Sequence, residues 1–148
     1  MILLRNSRAS YDYELLNFWE AGIALTGPEV KSLRSKCGSI QAAYVTVMQG
    51  EIWLMNALIP DYKMAHHQNQ EPRRTRKLLM HKREINKIMG EVNRKGHTVI
   101  VLSLYFNNKG LIKAKIASAV GKKKEDKRQK EKERDWKRRQ AEITSFRR

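Results

Sequence analysis

The chain has 148 residues, of which 41% are hydrophobic, and it carries a formal net charge of +16. This length predicts a single domain, the lone Cys37 excludes a disulfide framework and a cysteine zinc site, and the four histidines form no ligand set. Because no apolar run approaches the ~18 residues of a membrane span and Met1–Leu4 is no secretory signal, we expect a cytoplasmic protein without metal or cofactor.

The first third of the chain predicts two short strands followed by a helix. The strands are expected at Tyr11–Leu16 and Ile23–Leu25, where apolar residues cluster. Thr26–Glu29 combines a capping threonine, a proline suited to the first turn and a glutamate that completes a capping box. This signature predicts a helix that starts at Thr26 and ends at Gly38.

The middle of the chain predicts a β-hairpin, a long loop and a helix. Tyr44–Met48 and Glu51–Met55 are rich in β-formers and flank Gln49-Gly50, which is a strand–turn–strand signal. Residues 61–76 are polar and without periodicity, so an exposed loop is expected there. Apolar residues at i, i+3, i+4 and i+7 from Ile85 predict an amphipathic helix over 81–94.

Two further strands complete the predicted fold. Thr98–Tyr105 is apolar and β-branched, 107–110 is a turn, and 112–117 alternates with Lys113 and Lys115 facing outward. Five or six short strands with two or three helices and no βαβ rhythm indicate a mainly β fold, a small antiparallel barrel. The oligonucleotide-binding (OB) barrel is one such architecture, although the pattern alone does not choose it.

The last 28 residues differ in composition from the rest. Residues 121–148 contain 13 basic and six acidic residues and little that could build a core, so alone this tail should be disordered. Acid-first i,i+4 pairs such as Glu133–Lys137 and Asp135–Arg139 nevertheless favour a helix once a polyanion is bound. The sequence therefore divides into a folded body, 1–120, and a basic tail, 121–148.

The charge of the body predicts nucleic-acid binding. Residues 1–120 contain 18 basic and nine acidic residues, a net charge of +9, and neutralising phosphates releases condensed counterions. Arg73–Lys77 places four cations in five residues, on a loop expected to lead into a helix, and guanidinium groups suit paired phosphate oxygens. The alternatives are a basic but inert surface and a solvated charge run.

Other residue patterns indicate binding rather than catalysis. The sequence has no phosphate-binding glycine loop and no nucleophile elbow, so we expect no enzyme. Glu20 lies between an aromatic and small residues, where it serves a local hydrogen-bond network or accepts from a ribose hydroxyl or base amine. Trp19 and Trp53 are expected in or beside the core, whereas Trp136 has no core to join and could stack on a base.

Through seven motifs that occur in the same order, the sequence resembles the small protein B family, the tmRNA-binding proteins of bacterial trans-translation. The resemblance covers nearly the whole chain, from about Asn6 to Trp136. Its motifs are Asn6–Ala9, Tyr13, Glu20–Ile23, Gly27–Arg34, Pro72–Leu79, Leu102–Phe106 and Gly121–Arg128.

The resemblance implies an OB-type barrel with peripheral helices and a basic tail. It implies that the body binds the tRNA-like domain of tmRNA, while the tail enters the empty mRNA channel beyond the decoding centre of the small ribosomal subunit. Stalled ribosomes would then be rescued and their nascent chains tagged. Elongation factor Tu would take part indirectly, by delivering the charged tmRNA.

The cation cluster and the resemblance together define the candidate site residues. Leu79, which follows the cations, is expected to pack beneath the RNA-contacting loop. The candidate RNA-binding residues are Asn6, Arg8, Glu20, Lys31, Arg34, Arg73, Arg74, Arg76, Lys77 and Leu79. The candidate ribosome-binding residues of the tail are Gly121, Lys122, Lys123, Asp126, Lys127, Arg128, Lys132, Arg134, Trp136 and Ile143.

A second class of function stays open at this point. Another ribosome-associated basic OB protein, such as a ribosomal protein or an initiation-type factor, has similar composition. The two differ observably, because a rescue adaptor is substoichiometric to ribosomes and copurifies with one discrete RNA. An enzyme acting on RNA is a more distant alternative.

Overall fold

The computed structural model describes residues 1–60, 71–122 and 132–141, which form seven strands and four helices. The strands are β1 (Ile2–Arg5), β2 (Tyr13–Ile23), β3 (Tyr44–Met48), β4 (Glu51–Met55), β5 (Arg76–Leu79), β6 (His97–Phe106) and β7 (Ile112–Gly121). The helices are α1 (Ala9–Asp12), α2 (Gly27–Arg34), α3 (Lys82–Val92) and α4 (132–141).

All strand pairs are antiparallel, and the sheet closes in a ring. The strand order is β1-β6-β3-β4-β5-β2-β7, and β7 also pairs with β6. One edge of β6 pairs with β7 along nearly its whole length, whereas the other edge pairs with β3 near Val99 and with β1 near Ser103. The expected mainly β antiparallel fold with a few helices is confirmed.

The core lies inside the ring and beneath two helices. Alternate residues of the strands point inward, among them Ile52 and Leu54 of β4 and Ile116 of β7, all of them fully buried. Leu33 of α2 and Ile88 of α3 are also fully buried against this cluster. These two helices therefore cover the interior of the ring. A smaller cluster that includes Ala9 of α1 covers the outer face of β7 at Ala119, and β7 is exposed on that face near Lys115.

Three locally encoded elements occur where the sequence predicts them. The hairpin has the predicted bounds, and its turn residues Gln49 and Gly50 both have positive φ angles, 54° and 74°, as a type I′ turn requires. Thr26 and Glu29 form the predicted capping box of α2. The helix predicted over 81–94 is α3, with His81 as its N-cap.

Helix α2 ends earlier than predicted, at Arg34 rather than near Gly38. Lys36 has a φ of 58°, and the amide groups of Lys36 and Cys37 donate to the carbonyls of Leu33 and Ser32, as in a Schellman motif. Gly38 has another role. A Cβ there would lie 2.5 Å from the Leu58 carbonyl oxygen, so the close approach of two chain segments requires glycine.

Several strands differ from the prediction because long-range pairing decides them. One strand, β2, replaces the two expected at 11–16 and 23–25; it pairs along most of its length with β7, leaves Tyr11 and Asp12 to α1 and ends at Ile23. Strands β1 and β5 were not predicted; β5 replaces the end of the loop expected over 61–76, of which 61–70 lie outside the described residues. The strand expected over 112–117 continues to Gly121.

Candidate nucleic-acid interface

The four residues of the predicted cation cluster do not share one surface: some face the protein interior and others face solvent. Arg76 is buried and Lys77 is half-buried, 3.4 Å from the carboxylate of Glu51. Arg73 is exposed, and its guanidinium donates to the Asn56 side-chain oxygen at 3.1 Å. The segment expected to be a loop leading into a helix is thus partly a strand. Because successive side chains of a strand point to opposite faces, Arg76 points inward.

Glu29 of α2 joins two of these arginines. Arg74 donates to one carboxylate oxygen at 2.5 Å, and Arg76 Nε donates to the other at 2.6 Å. Arg76 also donates to the carbonyl oxygens of Ala57, at 2.9 Å, and Pro72, at 3.0 Å. This network joins the first turn of α2 to the segment that leads into β5.

The electrostatics of this network stabilise the charged form of Glu29. Burial alone raises the pKa of the Glu29 carboxyl, but hydrogen bonds from Arg74, the Thr26 backbone and Arg76 outweigh it and hold the pKa below its usual value. Arg76 has no exposed surface. Its burial contradicts a direct phosphate contact by Arg76, because all of its described donors are directed at the protein.

Glu20 and Leu79, two predicted RNA-binding residues that carry no positive charge, lie together on the outer face. They line one depression together with Lys113. Leu79 is 54% exposed, so the expectation that it packs beneath a loop is wrong. It pairs in register with Gly22, where a Cβ would lie only 3.2 Å from the Leu79 Cβ. Glycine at this position therefore leaves room for the leucine to lie across β2.

A hydrogen bond from Tyr105 fixes the carboxylate of Glu20. The Tyr105 hydroxyl donates to Glu20 Oε2, and the two side chains meet above β7, the strand between β2 and β6. Glu20 is in register with Lys115 and Tyr105 with Lys113, so the bridge lies between two lysines. Among the described residues, neither lysine forms an ion pair.

This bridge shifts the titration of the phenol. Burial and the hydrogen bond to the Glu20 carboxylate raise the pKa of Tyr105 to about 12. The phenol therefore remains a donor at neutral pH and occupies only one carboxylate oxygen. The second oxygen remains available to a ligand that carries a hydroxyl or amine.

Aromatic rings and cations alternate around the Glu20–Tyr105 bridge. Phe18 is 53% exposed, and Lys115 Nζ lies 5.4 Å from its ring centroid. Arg34, at the end of α2, lies 5.8 Å from the ring centroid of Phe106. Lys31 is exposed on the same helix. Phe106 is half-buried against the core, whereas the exposed Phe18 ring beside a cation suits a stacked base with its phosphate nearby.

The two candidates near the N-terminus have different environments. Asn6 is 8% exposed, and its side-chain amide donates to the Val101 carbonyl oxygen at 3.3 Å. Arg8 is exposed, lies 4.9 Å from the Tyr11 ring centroid and pairs with Asp12 at 3.6 Å. The structure thus gives Asn6 a bond inside the protein and leaves Arg8 accessible.

The first two residues of the predicted tail, Gly121 and Lys122, bond to the body. Gly121 is the last residue of β7, and the Lys122 side chain donates to the Ser10 carbonyl oxygen at 2.7 Å. Lys132, Arg134 and Trp136 lie on α4, whose described side chains are all exposed. Lys123, Asp126, Lys127, Arg128 and Ile143 lie outside the described residues.

Sequence reasoning missed several residues of this surface. Tyr105 and Phe18 were not candidates because nothing local distinguishes them from core aromatics. Lys113 and Lys115 gave a detectable signal, since their alternation placed them on the outer face of β7. Glu29 was assigned only its helix-capping role, and no local pattern reveals its arginine partners.

Two other classes of site are absent from residues 1–60, 71–122 and 132–141. In these ranges no cluster of three or more histidine, cysteine or acidic residues could hold a metal ion. No helix there is long and apolar enough to cross a membrane.

The fold and this surface define a small basic β-ring protein with an aromatic and cationic outer face. The family described as SmpB protein matches residues 3–145, and the chain belongs to that family.

Curated relatives are similar over nearly the whole chain. The SsrA-binding protein of Zymomonas mobilis is 55% identical over 142 residues, 96% of this chain and 89% of that protein. The SsrA-binding protein of Rhizorhabdus wittichii is 51% identical over the same shares of both chains. That of Wolbachia pipientis is 48% identical over 143 residues, 97% of this chain and 96% of the other.

A solved structure also matches. It is described as "tmRNA-SmpB: a journey to the center of the bacterial ribosome" and is 43% identical in sequence, with a TM-score of 0.71. The match covers 84% of this chain and 87% of the other.

Proposed function

We propose that the chain is a non-enzymatic RNA-binding protein that binds tmRNA and works with it on ribosomes in trans-translation. Membership of the SmpB family supports this function, as do the names of the SsrA-binding relatives. The observation that carries it within the structure is the exposed Glu20–Tyr105 bridge between Lys113 and Lys115. Phosphates suit the lysines, and the free carboxylate oxygen suits a ribose hydroxyl or base amine.

The finer parts of the proposal concern where each partner binds. The ring is proposed to act as an OB-type barrel whose outer face takes the tRNA-like domain of tmRNA. The tail is proposed to become helical in the mRNA channel past the decoding centre of the small subunit. Elongation factor Tu would act indirectly through charged tmRNA, and the site of action would be the cytoplasm.

The structure favours a division of labour among the candidate RNA contacts. Arg73 and Lys77, together with Lys113 and Lys115, have exposed or half-exposed cationic groups. Arg74 and Arg76 instead hold Glu29 and the segment that carries Arg73. We therefore propose phosphate contacts for the first four residues and a positioning role for Arg74 and Arg76.

One experiment separates this function from that of a ribosomal protein. The protein, expressed at native abundance with an affinity tag, is purified from bacterial cells. All copurifying RNA is sequenced, and the amount of protein is compared with the amount of ribosomes. An adaptor should bring down one discrete RNA, tmRNA, and should be far less abundant than ribosomes. Stoichiometric recovery with ribosomal RNA alone would favour the alternative.

Replacing Glu20 by glutamine should weaken tmRNA binding about tenfold, because hydrogen bonds to a charged group contribute about 1.5–3 kcal/mol. Tyr105→Phe, which removes only the hydroxyl, should weaken binding in the same direction. The double variant should lose less than the sum of the two single losses, because the phenol acts through the carboxylate. Dissociation constants from fluorescence anisotropy test this expectation.

The controls for this prediction keep the residue types: one is a glutamate of the same strand and the other a tyrosine of a different strand. Glu14→Gln lies on β2 at an exposed position, and Tyr44→Phe lies on β3; both should bind normally. Tyrosine ¹³Cζ chemical shifts provide a second measurement, since the pKa of Tyr105 should fall from about 12 in Glu20→Gln. Full tmRNA affinity in a folded Glu20→Gln variant would remove Glu20 from the interface.

Leu79→Ala should separate RNA affinity from stability. Because the leucine is 54% exposed, its loss should change the free energy of unfolding by less than about 1 kcal/mol. Its apolar contact with tmRNA should nevertheless be lost, which lowers affinity. Urea denaturation and anisotropy on one sample measure both effects, with Met48→Ala as the exposed apolar control. A large loss of stability with normal affinity would contradict this role.

A further inference from the structure

A second cleft lies beside the proposed interface, between β2 and the last turns of α3. Its walls are Asn17, Phe18 and Trp19 on β2, and Lys87, Gly90, Glu91 and Arg94 on and just after the helix. None of these seven residues belongs to the candidate set drawn from the sequence. Phe18 joins the two surfaces, because Lys115, the neighbour of Glu20 across the strands, lies over its ring.

The charge of this cleft is positive, because its two cations, Lys87 and Arg94, outnumber its single carboxylate, that of Glu91. The Glu91 carboxylate accepts from the Asn17 side chain at 3.2 Å and lies 3.3 Å from His97 Nδ1. In the described part of the chain, Lys87 and Arg94 are exposed and form no ion pair. Two cations are therefore presented to a ligand along one side of α3.

Gly90 is an unfavourable residue for its place in the helix. It lies inside α3, where glycine is less favourable than alanine because it loses more backbone freedom on folding. A Cβ at this position would meet no protein atom within 4 Å, so packing inside the protein does not require glycine. The absence of a side chain instead leaves the helix backbone open to a group that enters the cleft.

We propose that this cleft binds one unpaired nucleotide of tmRNA, with its base against Phe18 and its phosphate held by Lys87 and Arg94. The exposed ring supplies a stacking surface, the two cations suit one phosphate group, and Gly90 provides room for the sugar or base edge. The cleft is continuous with the Glu20 surface through Phe18 and Lys115, which favours tmRNA as the occupant. This subsite rests on the proposed function and extends it.

The sharpest test is Gly90→Ala, because it should act on stability and binding in opposite directions. The variant should melt at the same or a higher temperature, since alanine favours the helix, yet bind tmRNA several-fold more weakly. Asn86→Ala is the matched control: it is exposed on the same helix, also gains propensity and does not line the cleft. It should bind normally.

Variants of the other two groups complete the test. Phe18→Ala should weaken tmRNA binding about tenfold, in line with the loss of one base stack. Arg94→Gln should lower the slope of log affinity against log salt by about one unit, whereas Lys82→Gln, outside the cleft, should leave the slope unchanged.

The proposal is overturned if Gly90→Ala and Asn86→Ala bind tmRNA equally well, or if Phe18→Ala binds as the parent does. It is also overturned if the variants bind tmRNA normally but lose affinity for vacant 70S ribosomes. Glu20→Gln, measured in parallel, distinguishes failure of the subsite from failure of the proposed function. Loss of binding in Glu20→Gln with normal binding in the cleft variants rejects the subsite alone, whereas a parent chain without preference for tmRNA rejects the proposed function.

Discussion

Replacing Arg76 by alanine is expected to lower the free energy of unfolding by about 3–5 kcal/mol, the usual cost of removing one member of a buried ion pair. The guanidinium has no exposed surface and donates to Glu29 and to the carbonyl oxygens of Ala57, Pro72 and Arg74. Its loss leaves these acceptors without that donor and a cavity in their midst. Urea denaturation at neutral pH measures the change.

Two further variants keep this expectation testable if Arg76→Ala fails to fold. Arg76→Lys retains the charge without the planar fork and should lose less stability. Arg73→Ala, in the same cation cluster but exposed, should lose less than about 1 kcal/mol while it weakens tmRNA binding. Equal stability losses for Arg76→Ala and Arg73→Ala would contradict the buried network.

The same network makes stability depend on acidity. Because the folded state lowers the pKa of Glu29, its stabilising contribution is fully present above the unfolded pKa, near 4.5. That contribution is lost as the pH falls through the lower folded pKa, since the protonated carboxyl no longer pairs with the arginines. Glu29→Gln should therefore be less stable at neutral pH and should lose less stability upon acidification than the parent.

Local patterns predicted the elements whose determinants are adjacent in sequence. The hairpin follows from Gln49-Gly50 between two β-rich runs, and the start of α2 follows from the capping box at Thr26. The amphipathic period from Ile85 predicts α3. In each of these the information lies within about ten residues.

Long-range pairing explains what the sequence did not reveal. Strand β5 has only four residues, and its pairing with β4 and β2 decides that it is a strand. Arg76 is separated from Glu29 by 47 positions, and Tyr105 from Glu20 by 85, so no window reveals either pair. A run of four cations therefore looked like one anion site, although the fold uses one of them inside the protein.

The candidate site was only partly predictable, because some of its residues have local signals and others are placed by long-range strand pairing. Glu20 was singled out by its local context and Leu79 by its place after the cations, both with support from the family resemblance, and the fold brings them to one depression beside Lys113. Lys113 and Lys115 could be placed on the outer face from alternation alone. Phe18 and Tyr105 could not, because an aromatic in a strand is more often buried, and only the pairing of β2, β7 and β6 places these two on the surface.

Removing the tail after Lys122 should abolish tagging of stalled chains while the body folds and binds tmRNA. The cut belongs after Lys122 because Gly121 pairs with Tyr13, the Lys122 amide donates to the Asp12 carbonyl oxygen at 3.0 Å, and its side chain donates to Ser10. A chain that ends at residue 120 loses these bonds and should melt at a lower temperature than one that ends at 122. Thermal unfolding and tmRNA anisotropy compare the two truncated chains.

The tagging assay then tests the role of the tail itself. Helix α4 exposes its described side chains, including Trp136 at 63%, so its removal uncovers little of the body. Stalled ribosomes supplied with charged tmRNA should be tagged by the full chain and not by residues 1–122, although both bind tmRNA with similar affinity. Glu20→Gln in the full chain is the complementary control, since it should lose tmRNA affinity with the tail intact. Tagging by residues 1–122 at the full rate would exclude the tail from the mechanism.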